Sequence, residues 1–233
     1  TFDDLVKAYV TYPAIQVYAL ILLTALIIGI VTIQSIPLFL LAFLVGALIF
    51  PIAWYITHRF ILHGSWMYKT PWLAGFWKRV HYDHHRYPND LSVLFGGLHT
   101  TLPPILLIAG PVGWLIGGLP CAAAAIAGTV MMTMYTEFLH AGEHLAFEPK
   151  SKFWKDIKKR HLAHHFHNEN GNYGIRNIKR VGRVDEIVLG DNEIDSLLFS
   201  DCLDCFNSLR FEWSKILFPA LLCECLRLLT KLV

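Results

Sequence analysis

The sequence predicts an all-α membrane protein in which four transmembrane helices, paired as two hairpins, carry a helical cap with a histidine-rich site. Three observations predict it. Mean hydropathy is +0.44, with 55% hydrophobic and only 16% charged residues, whereas soluble domains carry about 25% charged residues. No charged side chain occurs from Ala8 to Thr57 or from Leu91 to Thr136, and each stretch is long enough for two crossings of about 20 residues. Ten of the 12 histidines follow those stretches in two matching sets.

The first hairpin is expected near 15–31 and 36–56, turning around Thr32–Ser35. The second is expected near 102–119 and 120–139, turning around Gly117–Pro120. Because the first apolar run leads straight into another, a cleaved signal peptide is not expected. Both turns are uncharged. By contrast, the segment after the first hairpin holds Arg59, Lys69, Lys78, Arg79 and Arg86. The segment after the second holds Lys150, Lys152, Lys155, Lys158, Lys159, Arg160 and Arg176. The positive-inside rule therefore puts both histidine-bearing segments on the cytoplasmic side of an integral, multi-pass protein. A net charge of +2 gives no sign of a nucleic-acid partner.

The two halves echo each other. Pro71 and Pro149 open the segments between histidine motifs, and Phe76-Trp77-Lys78 and Phe153-Trp154-Lys155 precede the last motif of each half. Residues 151–165 read as a helix on the cytoplasmic membrane surface, with Phe153, Trp154, Ile157 and Leu162 anchored among snorkelling lysines. Residues 1–183 form one membrane domain in this reading. Residues 184–233 are a divergent tail, whose apolar end (Asn207–Val233, broken at Pro219) suits a helix lying on the membrane. Cys121 reads as a small core residue. Cys202, Cys205, Cys223 and Cys225 read as reduced thiols in preference to a zinc site.

The histidines carry the chemistry. One set is His58, His63, His81, His84 and His85; the other is His140, His144, His161, His164 and His165. In each, a spaced pair precedes a His-x-x-His-His triplet, which by chance would occur roughly 0.03 times in this length. Imidazole ligates iron, zinc, copper and nickel, and ten imidazoles are enough for two ions. Neither set contains cysteine, which argues against iron–sulfur and thiolate-zinc sites. The triplet places its residues at i, i+3 and i+4 on one face of a helix, as does the His140/His144 pair. His58 and His63, at i and i+5, lie about 140° apart on a regular helix. Either the helix distorts there, or the two serve different metals. Asp83, Glu137 and Glu143 are candidates to accept the second N–H of ligating imidazoles, and His167 reads as a supporting neighbour. His99 stands alone and reads as an ordinary histidine.

These residues resemble the fatty acid hydroxylase / sterol desaturase superfamily of membrane di-iron proteins. The matching motifs are His58-Arg59-Phe60-Ile61-Leu62-His63, His81-Tyr82-Asp83-His84-His85, His140-x-x-x-His144 and His161-Leu162-Ala163-His164-His165. His84-His85-Arg86-Tyr87-Pro88-Asn89-Asp90 and Asn172-Tyr173-Gly174 look most like the fatty acid 2-hydroxylase branch. The resemblance covers about residues 40–178. It implies four membrane helices under a cytosolic metal cap, with the ten histidines holding two iron ions. It also implies O2 as cosubstrate and, with no haem carrier domain read in these residues, electrons expected from a separate donor protein. The family's Trp-Asp segment and Phe-Gly-Thr turn have only a faint counterpart in Val184–Gly190.

The function expected is O2-dependent hydroxylation of a C–H bond in a bilayer lipid, on an acyl chain near its carboxyl end. The headgroup would rest near Lys78, Arg79, Lys158, Lys159 and Arg160, over spans free of buried charge. Sites rich in nitrogen bind Zn(II) more tightly than Fe(II), so purified protein is expected to contain zinc as well. The competing readings are a sterol or carotenoid hydroxylase or desaturase of the same superfamily, a haem-binding membrane electron carrier, and an inactive relative.

Overall fold

The computed structural model describes residues 1–169 and residue 173. All its regular structure is helical among the described residues. Asn172 and Gly174 of the Asn-Tyr-Gly motif, the tail 184–233 and its four cysteines lie outside them, while Cys121 is buried and free.

Three helices are long and apolar enough to cross a membrane, within Pro13–Val31, Ile36–Leu62 and Leu91–His144. The first two are α2 (Pro13–Val31) and α3 (Ile36–Ile56, continued by a turn to Leu62), each opened by a proline in its first turn. Proline suits that position because its missing N–H has no intrahelical acceptor there. The third is α8 (Leu98–His144), which contains both spans expected for the second hairpin. It is broken at Gly117 (φ −175°, ψ 38°) and Gly118 (φ 70°, ψ −153°). The positive φ at Gly118 lies in a region that side chains with a Cβ rarely adopt. Beyond the break the chain folds back on itself: a Cβ at Gly113 would lie 2.7 Å from the Cα of Ala122 and 2.8 Å from the Cβ of Ala125. In a straight helix those residues would be well over 10 Å apart.

The second half of α8 is the centre of the molecule. It packs against α3 along a seam of small residues, with Ala42, Gly46 and Ala47 facing Ala124, Ala125 and Gly128. A Cβ at Gly46 would run into the Ala125 carbonyl, and one at Gly128 into the Phe43 carbonyl. Helices associate in membranes through such close backbone approach. Thr129 Oγ1 locks the seam by donating toward the Gly46 carbonyl (2.8 Å) across the interface.

An N-terminal helix, α1 (Phe2–Val10), is a feature the sequence reading does not assign. Its Leu5 and Tyr9 are buried, and the Tyr9 hydroxyl donates to the Met134 carbonyl of α8 at 2.6 Å. Short helices α4 (Ser65–Lys69), α5 (Pro71–Trp77), α6 (Asp83–Arg86) and α7 (Leu91–Leu94) follow α3. Two π-helical turns, Thr57–Leu62 and Lys78–Tyr82, punctuate this region.

The last helix, α9 (Lys152–Phe166), differs from the membrane-surface reading. Trp154 and Ile157 are buried inside the protein, with the Trp154 ring packed edge-on against Phe138 (5.8 Å) and Phe147 (5.5 Å). These apolar residues dock α9 on α8 instead of anchoring it in lipid. The Trp154 ring sits directly over Gly142 of α8, where a Cβ would lie well inside van der Waals contact. Lys158 completes the joint. Its ammonium donates to the carbonyls of Leu145 (2.8 Å), Phe147 (2.9 Å) and Gly142 (3.4 Å), which close the C-terminal end of α8. A cation there satisfies carbonyls left without helical partners.

This joint predicts two outcomes. Gly142→Leu should push α9 off α8 and lower stability by about 1–3 kcal/mol, the usual range for overpacking. Lys158→Met should also destabilise, and Lys158→Arg should destabilise less. The midpoint of thermal unfolding in detergent measures both, and a Gly142→Leu variant as stable as the parent would contradict the packing.

Candidate metal centre

The first π turn brings His58 and His63 together. In a π turn the backbone hydrogen bond closes from residue i+5 to residue i, here from the His63 N–H to the His58 carbonyl at 3.1 Å. The rings come to 5.0 Å between centroids. Of the two alternatives left open by the spacing, the helix distorts.

The triplets divide. Residues four apart on a helix differ by about 40° in direction, but the middle residue of His-x-x-His-His points about 60° to the other side. His81, in the second π turn, and His85 pair at 4.4 Å between rings, while His84 turns to His140 at 4.7 Å and His144 at 4.8 Å. His161 and His165 pair at 4.7 Å, while His164 turns to His58 and His63, both at 4.9 Å. The two sequence sets therefore exchange one member each. One spatial group is His84, His140, His144, His161 and His165, and the other is His58, His63, His81 and His85, with ligand atoms in each group within 4.8 Å of one another. His164, fully buried, joins the second group through a 3.2 Å contact between its Nε2 and that of His63.

The nitrogens fit metal ions. Nε2 of His140 faces Nε2 of His84 at 3.1 Å, and Nε2 of His144 faces Nε2 of His161 at 2.7 Å. Two nitrogens at right angles on one ion, each about 2.1 Å away, would be about 3.0 Å apart. Buried nitrogens of His84, His85, His144 and His165 have no hydrogen-bond partner in the protein. Leaving such groups unsatisfied costs about 1–3 kcal/mol each. A cation held in the groups would answer Nε2 of His85 and one nitrogen of His165, whereas Nδ1 of His84 and of His144 lies on the ring edge away from the facing Nε2 atoms. Burial, reinforced by neighbouring imidazoles, pushes His63 down to about 3 and His85 down to about 4. It also holds His81, His84, His161 and His165 well below the ordinary histidine value. All six are neutral near pH 7, the form that ligates a metal.

Two neighbours orient the rings. Glu143, buried in α8, places Oε2 3.5 Å from Nδ1 of His161. The His58 Nδ1 donates to the Tyr173 carbonyl at 2.8 Å, which leaves Nε2 directed at the cluster. Tyr173 belongs to the Asn-Tyr-Gly motif, but nothing in the sequence assigned its carbonyl this role. The other candidates sit elsewhere. Asp83 pairs with Lys78, His167 is exposed at the end of α9, and Glu137 accepts the Gly96 N–H at 3.1 Å.

Glu137 instead lines a cavity of about 210 Å³ between α3 and the first half of α8. Its walls are mostly apolar, including Phe50, Trp54, Leu94, Phe95 and Ile105, and histidines of both groups also line it. His99 and Arg79 also reach it. The expectation of spans without buried charge is thus corrected: Glu137 is buried within the apolar segment Leu91–His144, one residue beyond the charge-free stretch. The proposed headgroup surface also changes, since Lys158 is engaged by carbonyls and Lys78 by Asp83, while Arg79 donates to the Ser92 carbonyl.

Comparison with known proteins follows the same residues. The chain is 33% identical over 141 residues to the dihydroceramide fatty acyl 2-hydroxylase FAH2 of Arabidopsis thaliana, covering 56% of this chain and 53% of that protein. It is 27% identical over 135 residues to the fatty acid 2-hydroxylase of Rattus norvegicus, covering 57% of this chain and 36% of that protein. It therefore spans about half or less of the length of these relatives. Its fold is similar to a solved structure described as full-length scs7p with only the hydroxylase domain visible. The TM-score is 0.55 at 23% identity, over 66% of this chain and 57% of that one. The fatty acid hydroxylase model matches residues 43–180, a span that includes all ten clustered histidines, and the chain belongs to the fatty acid hydroxylase family.

Proposed function

We propose that this chain hydroxylates a fatty acyl chain of a bilayer lipid, close to its carboxyl end, at a centre of two iron ions held by the ten clustered histidines. The observation that carries this reading is the apolar cavity that histidines of both groups also line. Two bound irons would supply activation of O2, one atom entering the C–H bond and the other leaving as water, with electrons from a separate donor protein. His84, His140, His144, His161 and His165 are the ligands proposed for one ion, and His58, His63, His81, His85 and His164 for the other. The names of the relatives, both 2-hydroxylases, support the position on the acyl chain.

The protein's own residues do the rest. Phe50, Trp54 and Ile105 exclude water and hold the acyl body against the histidines. The buried Oε2 of Glu137, with no hydrogen-bond partner in the protein, offers a polar contact within the same cavity. In this reading the two halves of α8 are separate membrane passes. Unbroken, the 54 residues of Leu91–His144 would extend about 80 Å, against a hydrocarbon layer of about 30 Å. Four passes then put both histidine groups on the side where Lys69, Lys78, Arg79 and the lysines of α9 gather, the cytoplasmic side. Residues 1–183 form the hydroxylase-like domain, and 184–233 a tail without an assigned domain.

Mass spectrometry of lipids from cells expressing the chain tests the activity. Acyl chains heavier by one oxygen should accumulate with O2 present and vanish with His164→Ala. Oxygen located on a sterol ring or carotenoid end ring would refute the acyl assignment while keeping the family. Purified protein should contain zinc, alone or with iron, because nitrogen ligands favour Zn(II) over Fe(II), yet its activity should track iron content alone. Full turnover by an iron-free, zinc-loaded preparation would contradict the mechanism. Ala53→Phe, in the cavity wall, should leave metal content intact and cut turnover by about 10²-fold, the usual consequence of moving a reacting carbon by about 1 Å. Unchanged turnover would place the substrate elsewhere.

A further inference from the structure

Beyond the metal centre and its cavity, the most unusual surface is the short stretch between the end of α3 and the second π turn. Trp66 and Tyr68 of α4 and Trp72 and Phe76 of α5 are all exposed, Trp72 by 79%. Large aromatics so exposed, off any membrane span, call for a partner. Trp72 and Phe76 stand four residues apart on α5 and so share one face. Gly75 beside them has open space around it, so no described element covers that face.

We propose that residues 65–77 lie in the headgroup layer of the bilayer, with this aromatic face turned into the membrane interface. It deepens the hydroxylase reading above, on which it rests only for the presence of a membrane. Continuity with the lipid-facing side of α3 carries the choice of occupant. Ile52, Ile56 and Phe60 are exposed at four-residue intervals along α3 and its π turn, in line toward the end of the span. The Trp66 indole donates to the Phe60 carbonyl at 3.3 Å, and the Trp77 indole to the Leu62 carbonyl at 2.6 Å. Both α4 and α5 are thus pinned to the point where the span ends. Tryptophan and tyrosine favour that depth, where the ring is in apolar surroundings and its polar N–H or O–H still finds a hydrogen-bond partner. Lys69 beside Tyr68 supplies a cation that lipid phosphates attract. Phe76 also lines the cavity, so this aromatic face adjoins the proposed substrate site.

Depth-dependent quenching of tryptophan fluorescence tests this. The chain would be reconstituted in vesicles of phosphatidylcholine with a minor fraction of phosphatidylserine. Nitroxide lipids would carry the quencher either near the headgroup or near the end of the acyl chain. Subtracting the signal of a Trp66→Phe/Trp72→Phe double variant isolates these two side chains from the 7 tryptophans of the chain; either single variant gives its own difference if the double one misfolds. The isolated signal should be quenched most by the shallow nitroxide, less by the deep one, and little by aqueous iodide. Quenching chiefly by iodide would place the face in water and overturn the proposal. Quenching by none of the three would mean a protein surface covers it, as for an electron-donor dock or a second copy, and would also overturn it. Stronger quenching by the deep probe would put the segment in the hydrocarbon core, again against the proposal. None of these readings requires turnover, so the interface placement and the hydroxylase reading fail separately.

Discussion

The structure depends on one constraint: each His-x-x-His-His triplet must point two residues one way and the third another. On a regular helix positions i+3 and i+4 fall on opposite sides of i, about 100° apart, which serves the triplet of α9. The first triplet begins in the second π turn, and there His81 still pairs with His85 while His84 turns away. His84 and His164 are therefore each handed to the opposite group. Neither group can be completed by one half of the chain. The stack of His85 on His165, 4.1 Å between rings at 20°, is where the two halves meet. Two histidine groups built this way are coupled mechanically, since moving either triplet disturbs both.

That coupling needs rigid joints, and the surrounding sequence supplies them in layers. The small-residue seam between α3 and α8 fixes the helix leading to His58 and His63 against the helix carrying His140 and His144. Trp154 over Gly142 and Lys158 on the end of α8 fix α9, with the second triplet, to that same helix. The Trp77 indole on the Leu62 carbonyl ties the segment leading to the first triplet to the end of α3. Burying so many neutral imidazoles is unfavourable unless their nitrogens are satisfied. These joints hold an arrangement that the apolar core alone would not select.

Much of this was legible in the chain. The charge-free stretches located the apolar helices and both turns, including the break at Gly117–Gly118, and the histidine spacing located all ten clustered imidazoles. What the sequence did not disclose is long-range. The i, i+5 spacing of His58 and His63 signalled an anomaly, but only the backbone hydrogen bond identifies a π turn. The exchange of His84 and His164 needs the relative placement of four segments, which no local period encodes. Trp154 and the lysines of α9 match the composition of a membrane-surface helix, but tertiary packing took Trp154 and Ile157 inside and gave Lys158 to a helix end. Glu137 escaped notice as a cavity residue because an isolated acid after an apolar run resembles the usual charged end of a span.

One element therefore carries several duties at once. The second half of α8 supplies half of the close-packed seam, the acceptor for Tyr9, the floor under Trp154, two clustered histidines, the carboxylate beside His161 and the carboxylate in the cavity. Its residues have little freedom to shift, because seam, joint and centre lie along a few successive turns. Rigidity of this kind would suit the proposed function, in which one C–H bond must be held against neighbouring, chemically similar ones on the same acyl chain. Positioning within a fraction of an ångström decides which is attacked. Under the proposed function the flexible part would be the lipid, with the carbon next to the histidines held still by the cavity walls.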